Sequence, residues 1–280
     1  MEYKTLNNGV KMPMLGYGVY QVAPEECERC VLDALFVGYR AVDTAQAYAN
    51  EEGVGSALKK SGVPRGEVFL TTKVWITDAG EEKAARSIDE SLRKLGTDYV
   101  DLLLIHQPFG DYYGTYRAME KAYKAGKARA IGVSNFYPDR FIDLANFCEV
   151  TPAVNQVETH VFQQQKVARG VAEKYGTLIQ SWGPFAEGKN GIFTNETLVK
   201  IGKKYGKTAA QTALRFLLQS GVAIIPKSTH KERMAENLDI LNFSLSEEDM
   251  REISALDTGK SLFFSHYDPR TVEWFMSLVR

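Results

Sequence analysis

Four side chains that could together move a proton onto a carbonyl oxygen stand at or just behind the ends of short apolar runs: Asp43, with Tyr48 shortly after it, Lys73 and His106. A phenol with an ordinary pKa near about 10 is a reluctant acid at neutral pH. A neighbouring ammonium favours the phenolate and lowers that pKa. Lys73 could do this, with Asp43 holding it charged and oriented. His106 could orient the carbonyl or share the proton. A phenol that protonates a carbonyl oxygen as hydride reaches the carbon performs a ketone reduction. No side chain supplies hydride, so such a protein needs a cofactor. Later runs end on Ser134-Asn135, Gln156 to Glu158, Trp182 and Lys227-Ser228.

Singly, each of these residues has a commoner structural use. Tyr48 alone reads as a packing residue with a wet hydroxyl, Lys73 as a surface lysine and Asp43 as a helix N-cap. His106 and Trp182 read as core, Ser134-Asn135 as a turn, and Lys227 with Arg233 as a basic helix start. The chemical reading gains from their falling together on successive runs.

The runs themselves are Met14–Gly18, Arg40–Asp43, Val68–Lys73, Val100–His106, Ala128–Ser134, Ala153–Glu158, Thr177–Trp182 and Val222–Lys227. Helix-like segments separate them. Several are apolar nearly throughout, as strands of a parallel sheet covered on both faces are. The clearest helix starts at Pro24, where Cys27, Cys30, Val31, Ala34 and Leu35 share one apolar face. Tyr3–Leu6 and Val10–Met12 flank Asn7-Asn8-Gly9, the signal of an N-terminal β-hairpin. Eight strand and helix units point to an α/β fold, a (β/α)8 TIM barrel spanning 1–280 as a single domain, with a doubly wound open sheet as the alternative. In such a barrel, chemistry gathers at the C-terminal ends of the strands.

The composition narrows the functions. A formal net charge of −1 argues against nucleic acid or an anionic membrane as partner. Three cysteines exclude a disulfide scaffold and fit a reducing compartment. No run approaches the roughly 20 apolar residues of a membrane helix, and the start, MEYKTLNNGVKMP, has no apolar signal core, so a cytoplasmic monomer or small oligomer is the expectation, with a monomer as the default. Other motifs fail. Cys27-x-x-Cys30 has no second pair to complete a zinc site and lies on the apolar helix face, so no metal is expected. Gly16-Tyr17-Gly18 lacks the third glycine of a dinucleotide fingerprint, and Gly206-Lys207-Thr208 and Gly259-Lys260-Ser261 lack the leading glycine of a P-loop.

Taken together, GYRAVDTAQAYANE (38–51), TTKVW (71–75), VDLLLIHQP (100–108), IGVSNF (131–136), NQVE (155–158) and IPKSTHKERMAENLDIL (225–241) resemble the aldo-keto reductases. The similarity is to bacterial members near the 2,5-diketogluconate reductases and the prostaglandin F synthases. The resemblance implies an NADP-dependent enzyme reducing aldehydes or ketones (small carbonyls, dicarbonyls or keto-sugars). Tyr48 is then similar to the proton donor, Lys73 and Asp43 to its supporting pair, and His106 to the substrate-orienting histidine. Ser134, Asn135 and Gln156 match positions that hold the nicotinamide carboxamide, and Trp182 one that stacks on the ring. Gly183, Pro184, Phe185 and Glu187 would pass over the pyrophosphate. Lys227, Ser228, Thr229, Arg233, Glu236 and Asn237 match the adenosine and 2′-phosphate site, which favours NADPH over NADH. Tyr20, Trp75 and Gln107 fall in the substrate pocket. Tyr20 and Gln107 replace tryptophans common there and make it more polar. His230 stands where related bacterial enzymes often carry arginine, and Val161 follows His160 in place of the usual proline. The resemblance leaves room for two other uses of the barrel, a nicotinamide-sensing regulatory subunit and an aldolase with Lys73 as Schiff base. The tail from His266 to Phe275 is a candidate wall of the pocket, and the loop 107–115 is short.

Overall fold

The computed structural model describes residues 1–279. Strands β1 (Tyr3–Thr5) and β2 (Lys11–Pro13) form the expected antiparallel hairpin, with Gly9 turning at φ +86°. Asn7 donates to the Pro152 carbonyl at 3.3 Å and Asn8 to that of Arg129 at 2.9 Å, so the hairpin lies across the N-terminal end of the barrel.

Eight parallel strands follow in sequential order: β3 (Tyr17–Gly18), β4 (Ala41–Asp43), β5 (Phe69–Val74), β6 (Leu102–Ile105), β7 (Ile131–Ser134), β8 (Val154–Glu158), β9 (Leu178–Trp182) and β10 (Ala223–Ile224). The sheet closes on itself. Ile224 donates to the Met14 carbonyl at 2.8 Å, and Gly16 donates to the Ile224 carbonyl at 2.9 Å. Every residue of these eight strands except Trp182 is buried. This is the (β/α)8 barrel; the open-sheet alternative is overturned by the closure.

The strands are shorter than the apolar runs suggest. Met14–Gly18 reduces to Tyr17–Gly18 with an isolated bridge at Leu15, and Val222–Lys227 to Ala223–Ile224. Pro226 has no N–H to give the ladder, and Lys227 and Ser228 already lie beyond the strand. The loop after β6 is also shorter than 107–115, because Asp111 accepts from Gly114 N and starts the next helix at Tyr112.

The helices between strands are α1 (Pro24–Val37), α2 (Glu51–Lys60), α3 (Glu81–Leu95), α4 (Tyr112–Lys124), α5 (Pro138–Phe147) and α6 (Lys166–Lys174). Two helices, α7 (Glu196–Tyr205) and α8 (Ala209–Gln219), separate β9 from β10, and α9 (Lys231–Leu238) and α10 (Glu247–Ser254) follow it. In α1 the buried residues are Cys27, Cys30, Val31, Ala34 and Leu35, the face that the spacing predicts. The last helix, α11 (Pro269–Ser277), returns to the C-terminal end of the barrel, where Phe275 packs with Ile76 and Phe109. Among the described residues no helix is long and apolar enough to cross a membrane.

Close strand packing makes one glycine obligatory. A Cβ on Gly132 in β7 would stand 2.4 Å from the Val154 carbonyl oxygen and 3.0 Å from Leu104 Cδ2. Gly132→Ala is expected to cost about 1–3 kcal/mol in urea unfolding, since a close-packed interior absorbs little extra volume. Gly66→Ala, whose Cβ would meet nothing within 4 Å, is expected to stay within about 0.5 kcal/mol of wild type. Equal costs at both positions would refute the packing account.

Candidate active site

β4 ends at Asp43, and a 3-10 turn over Gln46–Tyr48 carries the tyrosine back over the barrel mouth. Buried Asn50 pins this turn. Its amide donates to the Val19 and Val22 carbonyls at 3.0 and 3.1 Å, and its Oδ1 accepts from Thr44 Oγ1 at 2.8 Å. Gln46 ties the turn outward, donating to Ser91 Oγ at 3.0 Å and accepting from Trp75 N at 2.7 Å.

At the centre lies the Lys73 ammonium, with no exposed surface. It donates to Asp43 Oδ1 at 2.5 Å, to the Thr44 carbonyl at 2.9 Å and to Tyr48 Oη at 3.3 Å. The other Asp43 oxygen accepts from Gln156 Nε2 at 2.8 Å, and Gln156 is held in turn by Gln180 Oε1 at 2.8 Å. His106 meets the Tyr48 ring edge to face, with centroids 5.4 Å apart. The four residues are thus brought together on three adjacent strand ends.

The charges differ from the simple expectation. Burial, then the Asp43 carboxylate and Tyr20, push the Tyr48 phenol well above its ordinary range. Lys73 does not lower it at rest, because its charge is largely matched by Asp43 at 2.5 Å and burial dominates. Burial pulls Lys73 itself downward, against the opposing field of Asp43. Burial and then Lys73 push His106 well below its usual range, so its imidazole is neutral. Its Nδ1 is sealed without a partner. An orphaned acceptor is tolerated better than an orphaned N–H, which places the proton on Nε2.

Ser134, Asn135 and Trp182 cluster beside this centre. Asn135, at φ +64°, donates to the His106 carbonyl at 3.0 Å and to Ser134 Oγ at 3.2 Å. Its Oδ1 accepts from Trp182 Nε1 at 2.8 Å, so the protein already engages this amide on both sides. Trp182 also meets Phe263 of the tail edge to face at 5.2 Å. Gly183 turns at φ +63°, Pro184 is buried, Phe185 packs on Phe193 at 5.4 Å, and Glu187 is exposed.

The β10 end has a different character. Ser228 and Asn237 are buried, and the Ser228 carbonyl accepts from Tyr17 Oη at 2.6 Å. The Thr229 carbonyl accepts from Arg29 at 3.3 Å, and Glu236 accepts from Thr208 Oγ1 at 2.8 Å. Lys227 and Arg233 are exposed, with no carboxylate within 4 Å among the described residues. Helix α9 begins without a side-chain cap, so its leading N–H groups are open. Unpaired cations beside open helix donors suit a phosphate. This end fits the 2′-phosphate of NADP.

The mouth wall is aromatic. Tyr20 lies 5.1 Å from Tyr48, and Trp75 lies 4.9 Å from His106 and 6.2 Å from Phe275. Gln107 accepts from His266 of the tail at 2.8 Å, so the tail forms part of this wall. A cavity of about 830 Å³ opens beside His266, between Arg140, Tyr267, Val272 and Met276, and is lined by none of Asp43, Tyr48, Lys73 and His106.

Residues 12–258 match the aldo/keto reductase family. A glyoxal reductase of Bacillus subtilis is 46% identical over 254 residues, covering 90% of this chain and 91% of its own. The methylglyoxal reductase DkgA of Escherichia coli is 41% identical over 260 residues, covering 92% and 94%. Among solved structures, the aldo-keto reductase of Bombyx mori in complex with NADP superposes with a TM-score of 0.88 at 32% identity, covering 92% of this chain and 94% of that one.

Several supporting residues are invisible to strand-end reading: Asn50, Gln46, Gln180 and His266 act from turns, a strand interior or the tail. Glu158 does stand at a strand end, but its partners are not legible there. Its buried carboxylate accepts from Ser261 Oγ at 2.5 Å and Leu262 N at 2.9 Å and so anchors the tail that presents Phe263, while its Oε1 lies 3.0 Å from His160 Nε2.

His266 carries a pH consequence. Burial, then Arg140, pushes it down to about 4. Between an unfolded value near about 6.5 and that value, the unfolded chain binds the proton and the folded one does not. Stability therefore falls as pH drops through this window, by up to about 1.4 kcal/mol per pH unit from this residue. His266→Gln is expected to flatten the dependence of urea unfolding on pH by that slope. Unchanged slopes would show that His266 titrates normally in the folded protein.

Proposed function

The chain belongs to the aldo/keto reductase family, and from that premise we propose that it works as a single-domain reductase of small aldehydes, ketones and dicarbonyls, with Tyr48 as proton donor. It is an NADP-dependent oxidoreductase. The observation that carries the mechanistic reading is the Tyr48 hydroxyl, 3.3 Å from a buried ammonium that is itself paired to Asp43.

When bound, NADPH supplies the hydride that reaches the carbonyl carbon. The chain's own groups do the rest. The neutral His106 imidazole, with its proton on Nε2, and the Tyr48 hydroxyl hold the carbonyl oxygen. The high resting pKa keeps the proton on Tyr48 until that oxygen becomes an alkoxide, a stronger base than phenolate. The proton then passes from Oη to the alkoxide oxygen, giving the alcohol. The phenolate left behind faces Lys73, whose field now meets a charge it can stabilise. The Asp43 carboxylate and the Thr44 carbonyl keep the ammonium aimed at Oη throughout.

For the cofactor, the reading assigns the 2′-phosphate to Lys227, Arg233 and the open start of α9, and the adenosine to Ser228, Thr229, Glu236 and Asn237. Gly183, Pro184, Phe185 and Glu187 take the pyrophosphate. Ser134, Asn135 and Gln156 take the carboxamide, with Trp182 against the ring. The pocket wall is Tyr20, Trp75 and Gln107. Gln156 Oε1 has no partner among the described residues and supports this assignment.

Tyr48→Phe is expected to lower turnover of small aldehydes by about a thousandfold while NADPH still binds, as read by fluorescence titration. Near-normal turnover would remove Tyr48 from the reaction, and the same assay applies to Lys73→Met. Arg233→Ala is expected to weaken NADPH by about tenfold or more and NADH far less, since it removes a charge-assisted contact to one phosphate. Equal losses for both cofactors would place Arg233 elsewhere.

A further inference from the structure

The Gln107 amide is fixed from an unexpected quarter. His266 reaches it from the tail, with Nε2 2.8 Å from Gln107 Oε1. The imidazole is 3% exposed and boxed by aromatic rings. Phe109 and Phe275 lie along its faces at 5.6 and 6.0 Å, and Tyr137 and Phe264 meet it at 5.2 and 5.1 Å. Its Nδ1 is sealed inside this box with no hydrogen-bond partner.

That orphan settles which way the amide points. If Gln107 were turned over, its NH2 would donate to Nε2 and the imidazole proton would sit on Nδ1. A buried N–H would then be left unpaired, the costlier of the two defects. The proton belongs on Nε2, which donates to Oε1. The NH2 of Gln107 is left over. It has no partner among the described residues and is not sealed from solvent. The wall is continuous with the chemistry, for Gln107 directly follows His106, while Trp75 touches both His106 and Phe275.

We infer that His266 is a specificity-positioning residue: it locks the Gln107 amide so that two N–H donors face the mouth beside His106, selecting carbonyls that carry a second oxygen acceptor on the adjoining carbon, as α-dicarbonyls do. This rests on the reductase reading above. Tyr48 and His106 take the reacting oxygen, and Gln107 takes its neighbour. A site with buried or oriented donors discriminates against a substrate that leaves them unpaired.

The test compares kcat/KM for methylglyoxal with that for propanal, which has the same three carbons and lacks the second carbonyl. His266→Leu frees the amide and is expected to lower the methylglyoxal-to-propanal ratio about tenfold, mainly through KM for methylglyoxal, the scale of one lost neutral hydrogen bond. His266→Gln, which can place an N–H near the lost Nε2, is expected to restore most of the ratio. Gln107→Leu is expected to lower the ratio as far as His266→Leu, and the double variant no further, because both remove the same donors. A ratio unchanged in His266→Leu and Gln107→Leu, or additive losses in the double variant, would overturn the inference while leaving the reductase standing. Wild-type protein that reduces neither compound would instead defeat the reductase reading, and this inference with it. A second readout needs no turnover. In 15N spectra of histidine-labelled protein, with His266→Gln identifying the signal, His266 is expected as the neutral Nε2–H form. A proton on Nδ1 would reverse the amide and overturn the assignment.

Discussion

One buried charge governs the barrel mouth. The Lys73 ammonium has no contact with water, and a charge so placed is tolerated only when its surroundings satisfy it. Asp43 provides the counter-charge, the Thr44 carbonyl a second acceptor and Tyr48 a third contact. This demand explains the geometry around it. Asp43 and Lys73 must stand on neighbouring strands, and the β4–β5 register, with Asp43 opposite Thr71, puts them there. The free oxygen of Asp43 must also be satisfied, and Gln156 reaches it across the barrel from β8. Removing any one partner would leave a buried charge or acceptor unpaired, so the group behaves as a unit.

The same burial separates two protonation states that reduction needs. Tyr48 is kept firmly protonated and His106 firmly neutral, each by desolvation acting on its charged form. A donor that does not leak its proton and an orienting group that adds no second positive charge suit a reaction in which negative charge develops on one oxygen. The Lys73–Asp43 pair is nearly self-compensating at rest. In the proposed reaction it becomes useful only as charge appears on Tyr48, which would be differential stabilisation of the reacting state.

Around this centre the tail is as much part of the site as the strands. Glu158 anchors it at Ser261 and Leu262, Phe263 then meets Trp182, and His266 and Phe275 complete the wall beside Gln107 and Trp75. Lys189, from the loop after β9, donates to the Leu262 carbonyl at 2.9 Å and lies over the Phe263 ring, joining that loop to the tail. The barrel supplies rigid strand ends, and the tail determines how they are enclosed.

Much was legible in the chain because it is local. The hairpin, the apolar face of α1 and the alternation of buried strands with helices follow from spacing, turn residues and apolar periodicity. The strand-end reading also picked out Asp43, Lys73 and His106, because a parallel barrel aligns its strand ends on one face, and Tyr48 came with them from the short turn after β4. What the chain could not disclose depends on contacts across more than a hundred residues. The bond from Gln156 to Asp43 and that from His266 to Gln107 leave no periodic trace. The raised pKa of Tyr48 is hidden for the same reason, since residue types name the possible partners but not how completely folding strips away their water. Which groups are available, and on which strand ends they fall, is written in local spacing and turn residues. Which of them meet, which are dry and therefore which way each proton is held depends on contacts that form only when distant segments pack together.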